Sequence, residues 1–86
     1  MQEKISKLIK QSLTDQAAEF EGEIQLDRPK DDRFGDWTTN IAMILAKKIG
    51  RNPVEIAKEI AERIKTDEEI AKVEVVGGYI NFYLTN

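Results

Sequence analysis

Near the end of the chain, Tyr79, Asn81 and Tyr83 alternate with Ile80, Phe82 and Leu84. On an extended strand this alternation sends two phenol rings and a carboxamide to one face and three apolar side chains to the other. Aromatic rings on a solvated strand face can stack a splayed-out base, and an amide between them can hydrogen-bond its edge. A plainer reading competes with this one. Tyr favours strands in its own right, and Asn81 would then serve only neighbouring backbone. Asn is disfavoured in mid-strand, so Asn81 is the residue that asks for a reason.

Lys47, Lys48, Arg51, Lys58, Arg63 and Lys65 form a second group, within a stretch (47–65) of net charge +3. Such a group suits phosphate contact. It also suits helix C-termini, where cations meet the negative end of the dipole, and the interspersed Glu55, Glu59 and Glu62 fit a solvated helix face. Arg51, between two helical patterns, is the best phosphate candidate, with Lys47 and Lys48 beside it. Asp31, Asp32 and Asp36 do not make a calcium loop, because Arg33 and Trp37 stand where oxygen ligands are needed. Gly77-Gly78 has no downstream Gly and helix, and no Gly-Lys-Ser/Thr occurs, so no nucleotide cradle is present. No metal or cofactor site is expected in this chain.

The chain has 86 residues, with neither His nor Cys. That removes the commonest general base, Ser-His and Cys-His nucleophile pairs, disulfides, and zinc sites built on imidazole or thiolate. Self-contained catalysis is not expected. Thirteen Lys and Arg against sixteen Asp and Glu give a net charge of −3, which argues against a generic polyanion binder. The balance is uneven along the chain: +2 over 1–13, −5 over 15–36 and −3 over 67–74. At 41% hydrophobic and 34% charged the chain is an ordinary folding composition, long enough for one small domain. It starts MQEKISKLIK, charged and amphipathic, which points to no signal peptide or membrane span and by default to the cytoplasm. The isolated domain is expected to be a monomer.

The elements that must position these groups are legible from periodicity. Ile5, Leu8, Ile9, Leu13, Ala17 and Phe20 recur every three or four residues and predict an amphipathic helix ended by Gly22. The alternation from Glu23 to Asp27 predicts a strand with Ile24 and Leu26 inward, with room for a second short strand near Arg33 to Phe34. Asp36 is placed to cap a helix carrying Trp37, Ile41, Ile44, Leu45 and Ile49 and stopping at Gly50. Asn52-Pro53-Val54-Glu55 opens the next helix, with Val54, Ala57, Ile60, Ala61 and Ile64 on its stripe. Residues 66–71 have room for one more short turn. Val73 to Val76, Gly77-Gly78 and Tyr79 to Leu84 predict a hairpin, with φ > 0 tolerated at both glycines. A two-residue loop pairs Val76 with Tyr79, Val75 with Ile80, Glu74 with Asn81 and Val73 with Phe82. The expected fold is α+β, a two-layer sandwich of order α-β-(β)-α-α-β-β, with a small antiparallel sheet packed against helices and its other face open. That open face suits either a nucleic acid or a protein partner.

Gly35-Asp36-Trp37-Thr38-Thr39-Asn40, Ala42 with Leu45-Ala46-Lys47, Gly50-Arg51-Asn52-Pro53, Ile56-Ala57 and Val73 to Phe82 occur in an order that resembles the additional N-terminal domain of arginyl-tRNA synthetases. The resemblance runs over nearly the whole chain. It implies a recognition domain that contacts the D-loop at the tRNA elbow, with Tyr79 and Asn81 at the base-reading positions and Tyr83 a less secure match. Arg51, Lys47 and Lys48 would assist at phosphates. It further implies a parent enzyme that joins arginine to tRNA using ATP with Mg, through catalytic and anticodon-binding domains. The His-Ile-Gly-His and Lys-Met-Ser-Lys type signatures of that catalytic domain are missing, so the chain is expected to be an excised domain, residues 1–86.

Overall fold

The computed structural model describes residues 2–13, 24–31, 33 and 35–85. Among them the elements run α1 (Gln2–Ser12), β1 (Trp37–Thr39), α2 (Ile41–Ile49), α3 (Pro53–Arg63), β2 (Ile70–Val76) and β3 (Tyr79–Leu84). The strands form an antiparallel sheet in the order β1-β3-β2, so the last strand is the central one. α2 and α3 pack on the sheet and α1 packs on α3, giving the expected two-layer α+β arrangement. The inner layer is built from Ile5 and Ile9 of α1, Ile41 and Leu45 of α2, Ile56 and Ile60 of α3, and Ile70, Ile80 and Phe82 of the sheet. Ile24 and Leu26 also point inward, as alternation requires. Ala17, Phe20, Gly22 and Phe34 lie outside the described residues.

The hairpin pairs Val76 with Tyr79, Val75 with Ile80, Glu74 with Asn81 and Val73 with Phe82, as the two-residue loop demands. Its two glycines act for different reasons. Only Gly77 has φ in the left-handed region, at +61°. Gly78 is needed for space, since a Cβ there would lie 2.9 Å from the Met43 side chain and 3.4 Å from Pro53. On α3, Asn52 Oδ1 accepts from the Val54 and Glu55 amides at 2.8 and 3.4 Å, and Gly50 ends α2 with φ +69°. The α3 stripe includes Ile56, fully in the core, whereas Val54 and Ala61 are only half-buried.

Three expectations are corrected. Trp37 does not begin a helix: Trp37-Thr38-Thr39, aromatic and β-branched, is an edge strand paired with Phe82, Asn81 and Ile80. Asp36 therefore caps nothing. Its amide donates to Phe82 O and its Oδ2 accepts from the Leu84 amide, both at 2.8 Å, while Thr39 Oγ1 accepts from the Ile41 amide at the α2 start. Among the described residues the alternating segment ending at Asp27 joins the sheet through one bridge, Asp27 to Thr38, and the short strand lies at β1, four residues after Arg33. Residues 66–71 hold the expected short turn, followed by the start of β2. Asp67 Oδ1 accepts from the Glu69 and Ile70 amides at 2.8 Å each and turns the chain into the strand.

Gly35 has φ +92°, and a Cβ there would sit 2.7 Å from Phe82 O, so both conformation and space demand glycine where β1 approaches β3. Gly35→Ala is expected to cost about 1–3 kcal/mol in urea unfolding. Asp67 is also bridged by Lys4 Nζ at 2.8 Å, which ties α1 to the turn before β2. The Lys4 ammonium, with the two backbone amides, holds the Asp67 carboxyl down at about 2, from 3.8. A carboxyl held low stabilises the fold above its unfolded pKa and loses that contribution as pH falls through its folded one. Between pH 4 and pH 2, the melting temperature of wild type is expected to fall more steeply than that of Asp67→Asn.

Candidate nucleic-acid interface

The phase of β3 decides which side chains the outer sheet face presents. Ile80 and Phe82 are fully buried against the helices, which turns Tyr79, Asn81 and Tyr83 to the other side. Their cross-strand neighbours there are Val76 beside Tyr79, Glu74 and Thr38 on either side of Asn81, and Lys72 beside Tyr83. Tyr79 is 47% exposed and Val76 40%. Asn81 lies on this face but is only 3% exposed, so the face is not open at that point. Thr38 Oγ1 donates to Asn81 Oδ1 over 2.6 Å. Asn81 Nδ2 has no partner among the described residues, yet no fully buried side-chain nitrogen or oxygen there lacks one. The amide nitrogen therefore keeps contact with solvent, at the floor of a cleft of about 240 Å³ lined by Pro29, Thr38, Val76, Tyr79 and Asn81. That is below the roughly 300–1,000 Å³ of small-molecule sites and suits a single flat ring.

A model of the arginyl-tRNA synthetase N-terminal domain matches residues 3–84. The chain belongs to this domain family. It is 46% identical over 80 residues to an arginine–tRNA ligase of Methanosphaera stadtmanae and 42% identical over 87 aligned residues to one of Chlorobium limicola. These alignments cover 93% and 99% of this chain but only 14% and 16% of those ligases. The arginyl-tRNA synthetase of Thermus thermophilus superimposes with a TM-score of 0.81 at 27% identity, over 99% of this chain and 14% of that one. The Plasmodium falciparum enzyme shares the fold, with a TM-score of 0.81 at 19% identity.

Within this family frame, the structure brings Tyr79 and Asn81 into one cleft and leaves the other candidate residues outside it. The Tyr83 hydroxyl donates to Arg33 O at 2.8 Å, and Lys72 Nζ lies 4.8 Å from its ring centroid, so this ring anchors the chain before β1. Arg51 is forked onto Glu59, with N–O distances of 2.9 and 3.0 Å, and Glu55 lies 4.0 Å away. That pairing raises the guanidinium pKa and holds the Glu59 carboxyl below its ordinary range, with the Arg51 hydrogen bond as the main cause. Lys47 and Lys48 flank a separate groove of about 360 Å³, with Asn40, Met43 and Ile44 on the outward side of α2. Ile44, expected in the core, is half-buried there.

Pro29, Thr38 and Val76 are the cleft residues that the sequence reading missed. Val76 was within reach, because the hairpin register already sets it opposite Tyr79. Thr38 and Pro29 depend on β1 being a strand. Among the described residues no group of three or more His, Cys, Asp or Glu could hold a metal, and no helix is long and apolar enough to cross a membrane. The glycine pair does not fit an ATP phosphate either, since Gly78 is packed against Met43 and Pro53. Tyr83→Phe, which keeps the ring and loses only the tether to Arg33, is expected to lower unfolding stability by about 0.5–1.5 kcal/mol.

Proposed function

We propose that this chain is the tRNA-recognition domain of an arginine–tRNA ligase and contacts the D-loop at the tRNA elbow. The single observation that carries the reading is the cleft itself: an exposed Tyr79 ring beside an Asn81 amide with an unpartnered nitrogen. Tyr79 stacks on an unpaired loop base, and Asn81 hydrogen-bonds the edge of that base. The relatives it resembles are arginine–tRNA ligases, which points to tRNA as the nucleic acid. In the parent chain, arginine is joined to tRNA at the expense of ATP with Mg by catalytic and anticodon-binding domains outside these 86 residues. This domain contributes no reacting group.

Charge sets the mode of binding. A domain of net charge −3 grips phosphates weakly, so stacking supplies most of the affinity, with Lys47 and Lys48 as local phosphate contacts. Arg51 would have to leave Glu59 to join them. A protein-docking role for the same face is the second reading, favoured by the exposed Val76–Tyr79 pair. Titration of the chain with a D-loop hairpin RNA separates the two. NMR shifts are expected on Thr38, Val76, Tyr79 and Asn81, and Tyr79→Ala is expected to weaken binding by about 5- to 150-fold, the equivalent of about 1–3 kcal/mol. Shifts that spare these residues would remove the tRNA reading in favour of the protein partner.

A further inference from the structure

We infer that Thr38 is a positioning residue that sets which way round the Asn81 carboxamide faces the cleft, and thereby which base the cleft accepts. The inference rests on the base-stacking reading above. The two oxygens, Thr38 Oγ1 and Asn81 Oδ1, lie 2.6 Å apart. Thr38 Oγ1 donates to Asn81 Oδ1 across that separation, so the carboxamide turns its oxygen to Thr38 and its NH₂ to the cleft. A free carboxamide would present either end, because its two ends are nearly isosteric.

Thr38 is itself held on both sides. Its backbone exchanges two hydrogen bonds with Asp27, at 2.8 and 2.9 Å, while its strand partner across β3 is Asn81. A β-branched side chain has few χ1 choices, so a pinned backbone limits where the hydroxyl can lie. The fixed NH₂ calls for an acceptor on the base edge, a ring nitrogen or a carbonyl. A base that offers a donor at that point leaves two donors facing each other beneath the stacked ring, which is disfavoured. Stacking on Tyr79 tolerates any base. Selection among bases therefore falls to the Thr38–Asn81 pair.

The test compares the 86-residue chain with Thr38→Val, Thr38→Ser and Tyr79→Ala, using D-arm RNA hairpins in which each unpaired loop base is replaced in turn by the other three. Wild type is expected to prefer one base at one loop position by about tenfold or more. Thr38→Val keeps the shape, loses the hydroxyl, and is expected to flatten that preference to within about twofold while still binding, as bases stack without it. Thr38→Ser is expected to restore the preference. The Asn81 side-chain amide resonances shift on adding the preferred hairpin to wild type, and not to Thr38→Val. Thr38→Ala repeats the removal of the hydroxyl in case the valine methyl disturbs the fold. A wild-type preference that survives in both the Val and Ala variants, or a wild type that binds without preference, overturns the role of Thr38 and leaves the stacking reading standing if Tyr79→Ala weakens binding. If wild type binds no hairpin, or Tyr79→Ala binds as well as wild type, the stacking reading itself fails and the inference goes with it.

Discussion

Ile80 and Phe82 are fully buried, and their burial holds β3 in one phase relative to the helices. Side chains on a strand alternate between faces, so a slip of one residue would bring Tyr79, Asn81 and Tyr83 into the core and expel the apolar pair. β3 is also the central strand of the sheet, paired with β1 along one edge and with β2 along the other. β2 reaches it through a tight hairpin, whereas β1 reaches it through the approach of Gly35 and Asp36 to the Phe82 carbonyl. The cleft exists because these two pairings meet at Asn81, with Glu74 on one side and Thr38 on the other.

Four of the thirteen Lys and Arg side chains are paired with carboxylates of the described residues. Lys4 bridges Asp67 and Glu69, Arg33 bridges Asp31, Arg51 bridges Glu59, and Lys72 bridges Glu74. Such exposed pairs add little stability one by one, but each occupies a cation that a phosphate would otherwise attract. In the proposed mode of binding, the flat ring of Tyr79 and the amide of Asn81 need no net positive charge. The anchoring of Tyr83 to Arg33 fits this division of labour: one aromatic holds the sheet together, and the other remains available.

Much of this was legible in the linear pattern, for reasons that are local. The hairpin register follows from a two-residue glycine loop, and the α3 start follows from an Asn cap followed by Pro, because both are set by contacts within a few residues. The start of α2 was misread because Asp36 is a good capping residue by type, yet its carboxylate is claimed by the Leu84 amide 48 residues away. Trp37 was drawn into a helical stripe by its spacing from Ile41, although its backbone is needed to pair with Phe82. A three-residue edge strand leaves too short a period to be told from the first turn of a helix.

By itself the sequence determined the fold class, the phase of the last strand, and the face that carries Tyr79 and Asn81, since all three rest on periodicity and turn chemistry. Only the tertiary structure decided that Asn81 is buried, that Thr38 engages its oxygen, that Tyr83 is an anchor, and that Arg51 is already paired. Each of these outcomes depends on a partner that is not a near neighbour along the chain: Thr38 for Asn81, Arg33 for Tyr83, Glu59 for Arg51. Periodicity assigns a side chain to a face. The residue that it meets there is fixed by which strands and helices come to lie beside one another.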